Sequence, residues 1–282
     1  MTDARPVPQV IDRAALRVRQ ARAQRLGPAT FLLDRVALDM QERLQAVLRD
    51  FKDVADVWTP GGGAFRDGVS DRFSAAAHHG MLARDDETLV LEPQSLDLAL
   101  SALGLHFAND LPGLLTQIRR ALRPDGLFLA ALLGGDTLTE LRESFAAAEV
   151  EREGGLSPRV LPFADLRDLG ALLQRAGFAL PVADVDRVVV RYANAFALMQ
   201  DLRRMGATNV LTERRRTMLR RATLLRMAEV YGERFADSDG RIRATFDVVW
   251  LSGWAPHESQ QQPLKPGSAT ARLEDAVKGR KK

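Results

Sequence analysis

The sequence predicts an α/β fold built on a mainly parallel sheet. Two nearly continuous apolar runs, Leu96 to Ala102 and Leu127 to Leu133, suit strands covered on both faces. Between them Leu111, Leu114, Leu115, Ile118, Ala121 and Leu122 recur at three- and four-residue spacing, with Gln117, Arg119 and Arg120 opposite, which is the pattern of an amphipathic helix. Strand and helix signals then continue to alternate as far as Leu251. Asn109 and Asp110 stand as caps before the central helix, Pro112 falls in its first turn, and Pro124-Asp125-Gly126 ends it. Such a β-α-β crossover is right-handed almost without exception. Ligands of open α/β sheets bind beyond the carboxyl ends of the strands, here Ser101 to His106 and Gly134 to Thr137.

Taken in order, residues 9 to 50 read as two helices broken at Gly27-Pro28. The second carries Phe31, Leu32, Val36, Met40, Leu44, Val47 and Leu48 as an apolar stripe; it packs on the sheet or forms a flap over a ligand cleft. Val54 to Val57 is a short strand, followed by Trp58-Thr59-Pro60-Gly61-Gly62-Gly63. A glycine-rich turn here either lets backbone amides approach a nucleotide-like ligand or is a plain flexible connection; no lysine follows, so it is not a P-loop. Phe73 to Ala77 has strand character, followed by His78-His79, and Arg84 to Glu87 reads as a turn. Only roughly 40 residues separate Asp56 from Asp97, while one βαβ unit takes about 30, so helices between them must be shortened or absent.

Beyond the central unit, Asp136 to Ala148 reads as a helix with Leu138, Leu141, Phe145 and Ala148 inward and Asp136 as its cap. Asp165 caps another, closed by Gly177. Strands return at Arg187 to Tyr192 and Arg243 to Leu251. The stretch between them is far too long for a hairpin and holds helices: one on Phe196, Met199, Leu202 and Met205, ended by Gly206, and one starting at Thr212-Glu213 with Arg214, Arg215, Arg216, Arg220, Arg221 and Arg226. That arginine run is a solvated face or a docking surface for an acidic protein or anionic lipid. From Pro256 the chain is polar and proline-bearing, an extended tail with at most a short helix at Ala271 to Val277. The expected organisation is N-terminal helices over 1–50, an α/β domain over 51–255 with a helical insert at 193–241, and a basic tail over 256–282.

A hydrophobic share of 46% and a charged share of 27% are ordinary for a globular protein, and a net charge of +3 does not by itself argue for nucleic acid. With no cysteine, disulfides, thiol nucleophiles and Cys-ligated metals are excluded. No apolar run reaches the ~18 residues of a membrane span. A cytoplasmic protein, with at most peripheral contact with an anionic membrane, is expected. Adjacent His78 and His79 lack metal-ligand spacing, and no metal is expected.

The stretch LDLALSALGLHFANDLPGLLTQIRRALRPDGLFLAALLGGDTLTELR resembles the second half of a class I S-adenosylmethionine-dependent methyltransferase. VIDRAALRVRQ, FLLDRVALDMQERL, LLQRAGF and RATFDVVWLSGWAP follow the order of the branch that holds the biotin-synthesis malonyl-carrier-protein methyltransferase and the mitochondrial complex I assembly factor that acts as an arginine hydroxylase. The resemblance implies a seven-stranded Rossmann-like sheet with an antiparallel last strand and a helical insert before it acting as a lid. It implies S-adenosylmethionine as cofactor, with Asp56 at the acidic position, Gly61, Gly62 and Gly63 in the loop, Asp85 and Asp86 at the adenine, and Ser101, Ala102 and Leu103 beside the methionine portion. Trp58 and Pro60 depart from the family, which has glycines there; Ala77-His78-His79 replaces the acidic residue that would meet the ribose. A proline removes a backbone donor, and an indole fills space.

His106, following the fourth strand of the implied sheet, is the candidate proton acceptor if the methyl acceptor is OH or NH; a structural histidine capping the turn is its alternative. Two functions follow: methyl transfer to a protein or small-molecule nucleophile, or a protein-binding factor on the same scaffold. The latter would assist assembly of a respiratory complex, without chemistry or by modifying an arginine of its partner.

Overall fold

In the computed structural model, residues 8–61 and 87–261 are described. The chain opens with α1 (Arg13–Leu26) and α2 (Phe31–Gln45), then β1 (Val54–Asp56). The predicted central unit follows as β2 (Leu96–Ala102), a 3-10 turn at Leu105–Phe107, α3 (Leu111–Ala121) and β3 (Leu122–Gly134). Next come α4 (Thr139–Glu153), α5 (Leu166–Arg175), β4 (Ala179–Tyr192), α6 (Ala195–Arg204), α7 (Arg221–Phe235) and β5 (Ile242–Trp254).

Among the described residues the sheet has five strands in the order β1-β2-β3-β5-β4. Its pairs β1–β2 and β2–β3 are parallel, and β5 runs antiparallel to both β3 and β4. This is the mainly parallel, Rossmann-like sheet with an antiparallel last strand, and α6 and α7 form the helical insert before that strand. The shortened units expected between Asp56 and Asp97 fall on 62–86, outside the described residues, as do the tail from 262 and its short helix.

Side-chain alternation sorts the core into two layers. On one face Leu98, Leu100, Leu129, Ala131, Val248 and Trp250 meet Val36 and Met40 of α2, Phe145 of α4, Leu198 of α6 and Tyr231 of α7. On the other, Ala99, Phe128, Ala130, Leu132 and Leu251 meet Leu114 and Ile118 of α3 and Leu169 and Leu173 of α5. Both faces of β2 and β3 are therefore dry, which is why these strands read as continuous apolar runs.

Local chemistry sets the helix ends. Asp110 caps α3 by accepting from Gly113 N, and Asp165 caps α5 by accepting from Arg167 N. Gly177 after α5 has φ 82, the left-handed position predicted for it.

Three readings need correction. Asp136 does not cap α4: the residue before the helix is Leu138, at φ 54, while the Asp136 carboxylate takes Arg187 at 2.7 Å. The helix predicted from Thr212-Glu213 begins only at Arg221, because Arg214 is drawn to Asp12 at 2.8 Å and Arg215 to Glu153, both away from a helical path. β4 begins at Ala179, eight positions earlier than predicted, and passes through Pro181 at a register shift between Ala179 and Val182. A proline is tolerated there because β4 is an edge strand among the described residues and its missing N–H breaks no ladder bond.

Candidate functional site

A cavity of about 520 Å³ opens at the carboxyl ends of β2 and β3. Pro60 and Gly61 of the loop after β1, Leu103 and His106 after β2, and Leu133 and Leu138 at the end of β3 form its floor. α1 and α2 contribute one wall through Gln20, Gln24 and Leu32, and the insert closes it with Met199, Leu202 and Met205. The sheet side is apolar, while Arg19, Thr208 and Asn209 bring polar groups from α1 and the loop after α6.

Backbone strain concentrates at these strand tips. Trp58, Leu103 and Leu138 have φ of 69, 52 and 54, one after each of β1, β2 and β3. Bulky residues adopt this region at a cost of about 1–3 kcal/mol each, and such strain gathers where a fold holds a ligand site in a set shape. Trp58 thus holds a backbone conformation that glycine adopts without strain. Its indole does not fill the hollow. It packs with Val57, Leu105 and Leu114 on the α3/α5 face, with the Arg13 guanidinium 4.0 Å from its ring centroid, whereas the cavity is walled by Leu32, Leu141, Phe145 and Leu202 of the opposite face.

Asp56 is buried at the end of β1, where its Oδ1 accepts from the Thr59 hydroxyl at 2.5 Å. That hydroxyl in turn accepts from Ala102 N at 2.9 Å, stitching the first loop to the tip of β2. Asp56 and Ala102 therefore shape the loop from behind the cavity wall. Ser101 is fully buried, with a hydroxyl that has no hydrogen-bond partner among the described residues. Of the residues proposed from sequence, Gly61, Leu103 and His106 come together on the wall; Asp56, Ser101 and Ala102 lie one layer behind it. Gly62, Gly63, Asp85 and Asp86 lie outside the described residues, as do His78 and His79.

His106 receives Leu133 N at its Nδ1, a long contact of 3.4 Å, so its ring proton sits on Nε2. Burial pushes its pKa down to about 3. The residue remains part-accessible because it borders the cavity, but surrounding protein leaves little water to solvate a charged ring. Its ground state is thus a neutral imidazole whose Nε2–H is a donor, and accepting a proton there opposes the burial.

Sequence reading missed Glu87, which is buried at φ 62 and accepts Asn109 N at 2.9 Å and Asp110 N at 2.8 Å. It fixes the start of α3 and hence the turn that carries His106. The insert stands over the cavity through α6, as the resemblance implied, but the contribution of α1 was missed, because nothing local in that helix announces a contact with a segment nearly two hundred residues away.

The fit of a cofactor can be judged on this geometry. Gly61, at φ 84, and the left-handed Leu103 both line the cavity of about 520 Å³, so backbone of the first loop and of the β2 tip faces the space a cofactor would enter. Residues 67–130 match the family described as "Methyltransferase domain". The chain is 44% identical over 194 residues to the arginine-hydroxylase NDUFAF5, mitochondrial, of Danio rerio, covering 69% of this chain and 60% of that protein. For the Homo sapiens protein of the same name the figures are 47% over 186 residues, 66% and 54%. For the malonyl-[acyl-carrier protein] O-methyltransferase of Laribacter hongkongensis they are 37% over 187 residues, 66% and 60%. The chain thus spans between 54% and 60% of the length of these relatives. The resemblance to the class I methyltransferase family and this branch of it is borne out.

Proposed function

We propose that this chain is an S-adenosylmethionine-dependent methyltransferase whose acceptor enters from the side of the helical insert. The observation that carries the reading is the cavity at the tips of a mainly parallel sheet, floored by the loop after β1 and by Leu103 and His106. The match to a methyltransferase domain and the kinship with a carrier-protein O-methyltransferase support it. Gly61, Leu103 and His106 would hold the cofactor, with Asp56 and Ser101 behind them setting the loop and strand tip. When bound, the cofactor supplies an electrophilic methyl group on a sulfonium. The chain's own part would be positioning and exclusion of water: Leu133, Leu138, Phe145 and Phe163 give the cavity an apolar lining, and the strand tips would set the angle of approach. The neutral His106 donates a hydrogen bond that orients the acceptor.

A second reading has specific support in the 44% and 47% identity to proteins named arginine-hydroxylase and in the first loop, where Pro60 offers no amide donor and Asp56 is engaged by Thr59. On it the chain is a respiratory-complex assembly factor that does not methylate, or one that modifies an arginine of its partner. The loop between Thr212 and Arg220 supports contact with an acidic partner subunit or an anionic membrane: Arg216 and Arg220 have no carboxylate partner among the described residues, and Met218 between them is 92% exposed. Among the described residues no helix is long and apolar enough to cross a membrane. The absence of cysteine supports a cytoplasmic site and the relatives' names a mitochondrial one, which fractionation separates.

Incubating the protein with methyl-labelled S-adenosylmethionine and carrier-protein or subunit preparations distinguishes the two readings. Label in an acceptor, lost when excess S-adenosylhomocysteine is added, is expected. Saturable partner binding without label transfer would overturn the methyltransferase reading in favour of the second.

A further inference from the structure

The loop after α6 is pressed against α1. Gly206, at φ 73, lies so close that a Cβ there would sit 3.1 Å from the Gln20 Cα, so glycine is required for the approach. The approach brings the Thr208 hydroxyl to α1, where Oγ1 accepts from Arg19 Nη1 at 2.7 Å and from Arg22 Nη2 at 3.3 Å. Two guanidinium groups thus converge on one neutral oxygen. Among the described residues neither has a carboxylate partner, and the buried Nε of Arg22 has no acceptor. Asp12, the N-cap of the same helix, is held by Arg214 at 2.8 Å.

The surrounding charges sharpen the imbalance. Arg159 on the cavity wall is neutralised by Glu149, and Asp34, the carboxylate on the wall, is held by the Thr30 hydroxyl at 2.8 Å. Arg204, also on the wall, donates to the carbonyl of Gly27 at 2.7 Å, which occupies the group without cancelling its charge. Burial, Arg214 and Arg22 lower the Arg19 pKa, with Asp12 opposing them more weakly; burial, Arg203 and Arg25 lower that of Arg22. A hydroxyl satisfies the geometry of two donors but not their charge. An oxyanion satisfies both, because its oxygens can bridge two planar guanidinium groups.

Arg19 and Thr208 line the same cavity as Leu133, Leu138, Met199 and Leu202. We propose that Arg19, Arg22 and Thr208 form an oxyanion site at the mouth of the cavity, and that the acceptor is an amphiphile whose carboxylate or phosphate monoester docks there while its apolar body lies inward. This gives the substrate class for the cavity and rests on its reading as the acceptor's seat. The anion is the handle that orients the molecule, held on the α1 side of the cavity by Arg19 and Thr208, with Arg22 behind them on the shared hydroxyl.

Calorimetric titration of the full chain with decanoate, decyl phosphate and decanol, in the absence of S-adenosylmethionine, tests this. Decanoate or decyl phosphate is expected to bind about tenfold or more tightly than decanol, with the preferred anion identifying the source. The double variant Arg19→Gln, Arg22→Gln is expected to lose that advantage while its decanol affinity stays unchanged. Thr208→Val, which keeps both arginines and the volume of the side chain, provides a milder second variant with a several-fold loss for the anions alone. Equal affinity for decanoate, decyl phosphate and decanol, or anion affinity unchanged in the double variant, would overturn the proposal. A chain that prefers the anions yet fails to bind S-adenosylmethionine keeps this site and loses the methyl-transfer reading; the reverse result loses only the site.

Discussion

His106 stands at the edge of the cavity, neutral because burial holds its pKa near 3 against 6.5 for a solvated ring. The unfolded chain therefore takes up a proton at this residue as pH falls below about 6.5, while the folded chain does not until about pH 3. Stability is full above the unfolded value and lost on acidification, with a limiting slope of about 1.4 kcal/mol per pH unit from this group. Urea melts at pH 7 and pH 5 should show a larger loss for the wild type than for His106→Gln; equal losses would contradict the assignment. Asp247 acts in a lower window. Its burial raises the pKa, but hydrogen bonds from Arg187 and Asp136 N outweigh this and lower it, so its contribution fades only as pH falls through the carboxylate range. Trp58 is the other decisive residue: Trp58→Ala is expected to cost about 3–5 kcal/mol, read from the denaturation midpoint, through loss of the buried indole and its Arg13 stack. The sequence marked His106 because it follows the fourth strand of the implied sheet, and Trp58 because it stands where the resembling family has a glycine. It could not show which side of the sheet the indole takes, since that depends on the left-handed backbone at Trp58 rather than on its neighbours in the chain.

Single glycines govern how the elements meet. A Cβ on Gly104 would lie 1.9 Å from the Trp58 carbonyl oxygen, so the turn after β2 can close on the first loop only without a side chain. Gly104→Ala should therefore push the two loops apart and lower stability by about 1–3 kcal/mol, and hydrogen exchange should rise at Val57 to Gly61 and at Leu103 to Phe107; a variant with wild-type exchange there would refute the contact. The central β-α-β unit was legible residue by residue because its signals are local: two dry strands, one amphipathic helix and Asp110 as its cap. The start of α7 was not, because Arg214 and Arg215 are pulled to Asp12 and Glu153, partners far away in sequence. The early start of β4 was hidden by Pro181, whose missing donor matters only if the strand is central. In the loop before α7, Arg216 and Arg220 flank the exposed Met218, and vesicles rich in anionic lipid should capture the wild-type chain at low salt but not Arg216→Glu, Arg220→Glu. Capture that is indifferent to salt or to both substitutions would rule out a membrane contact at this loop.

For the molecule as a whole, the site is a joint product of segments remote in sequence: α1 and α2 from the N-terminus, the tips of β1, β2 and β3, and the insert before β5. Composition and periodicity revealed the sheet and the end at which the cavity opens, since those follow from the strands alone. The lid of α1 against the loop after α6 depends on Gly206 meeting Gln20, a contact that no local pattern announces. The central claim is that the hollow beside Gly61, Leu103 and His106 receives the adenosyl cofactor. Equilibrium dialysis of S-adenosylhomocysteine against the wild type and against Leu103→Trp, both checked for folding by circular dichroism, tests it most directly. Saturable binding in the micromolar range that disappears when the introduced indole fills the hollow is the predicted result; no binding at millimolar ligand, or binding that Leu103→Trp leaves intact, would contradict it.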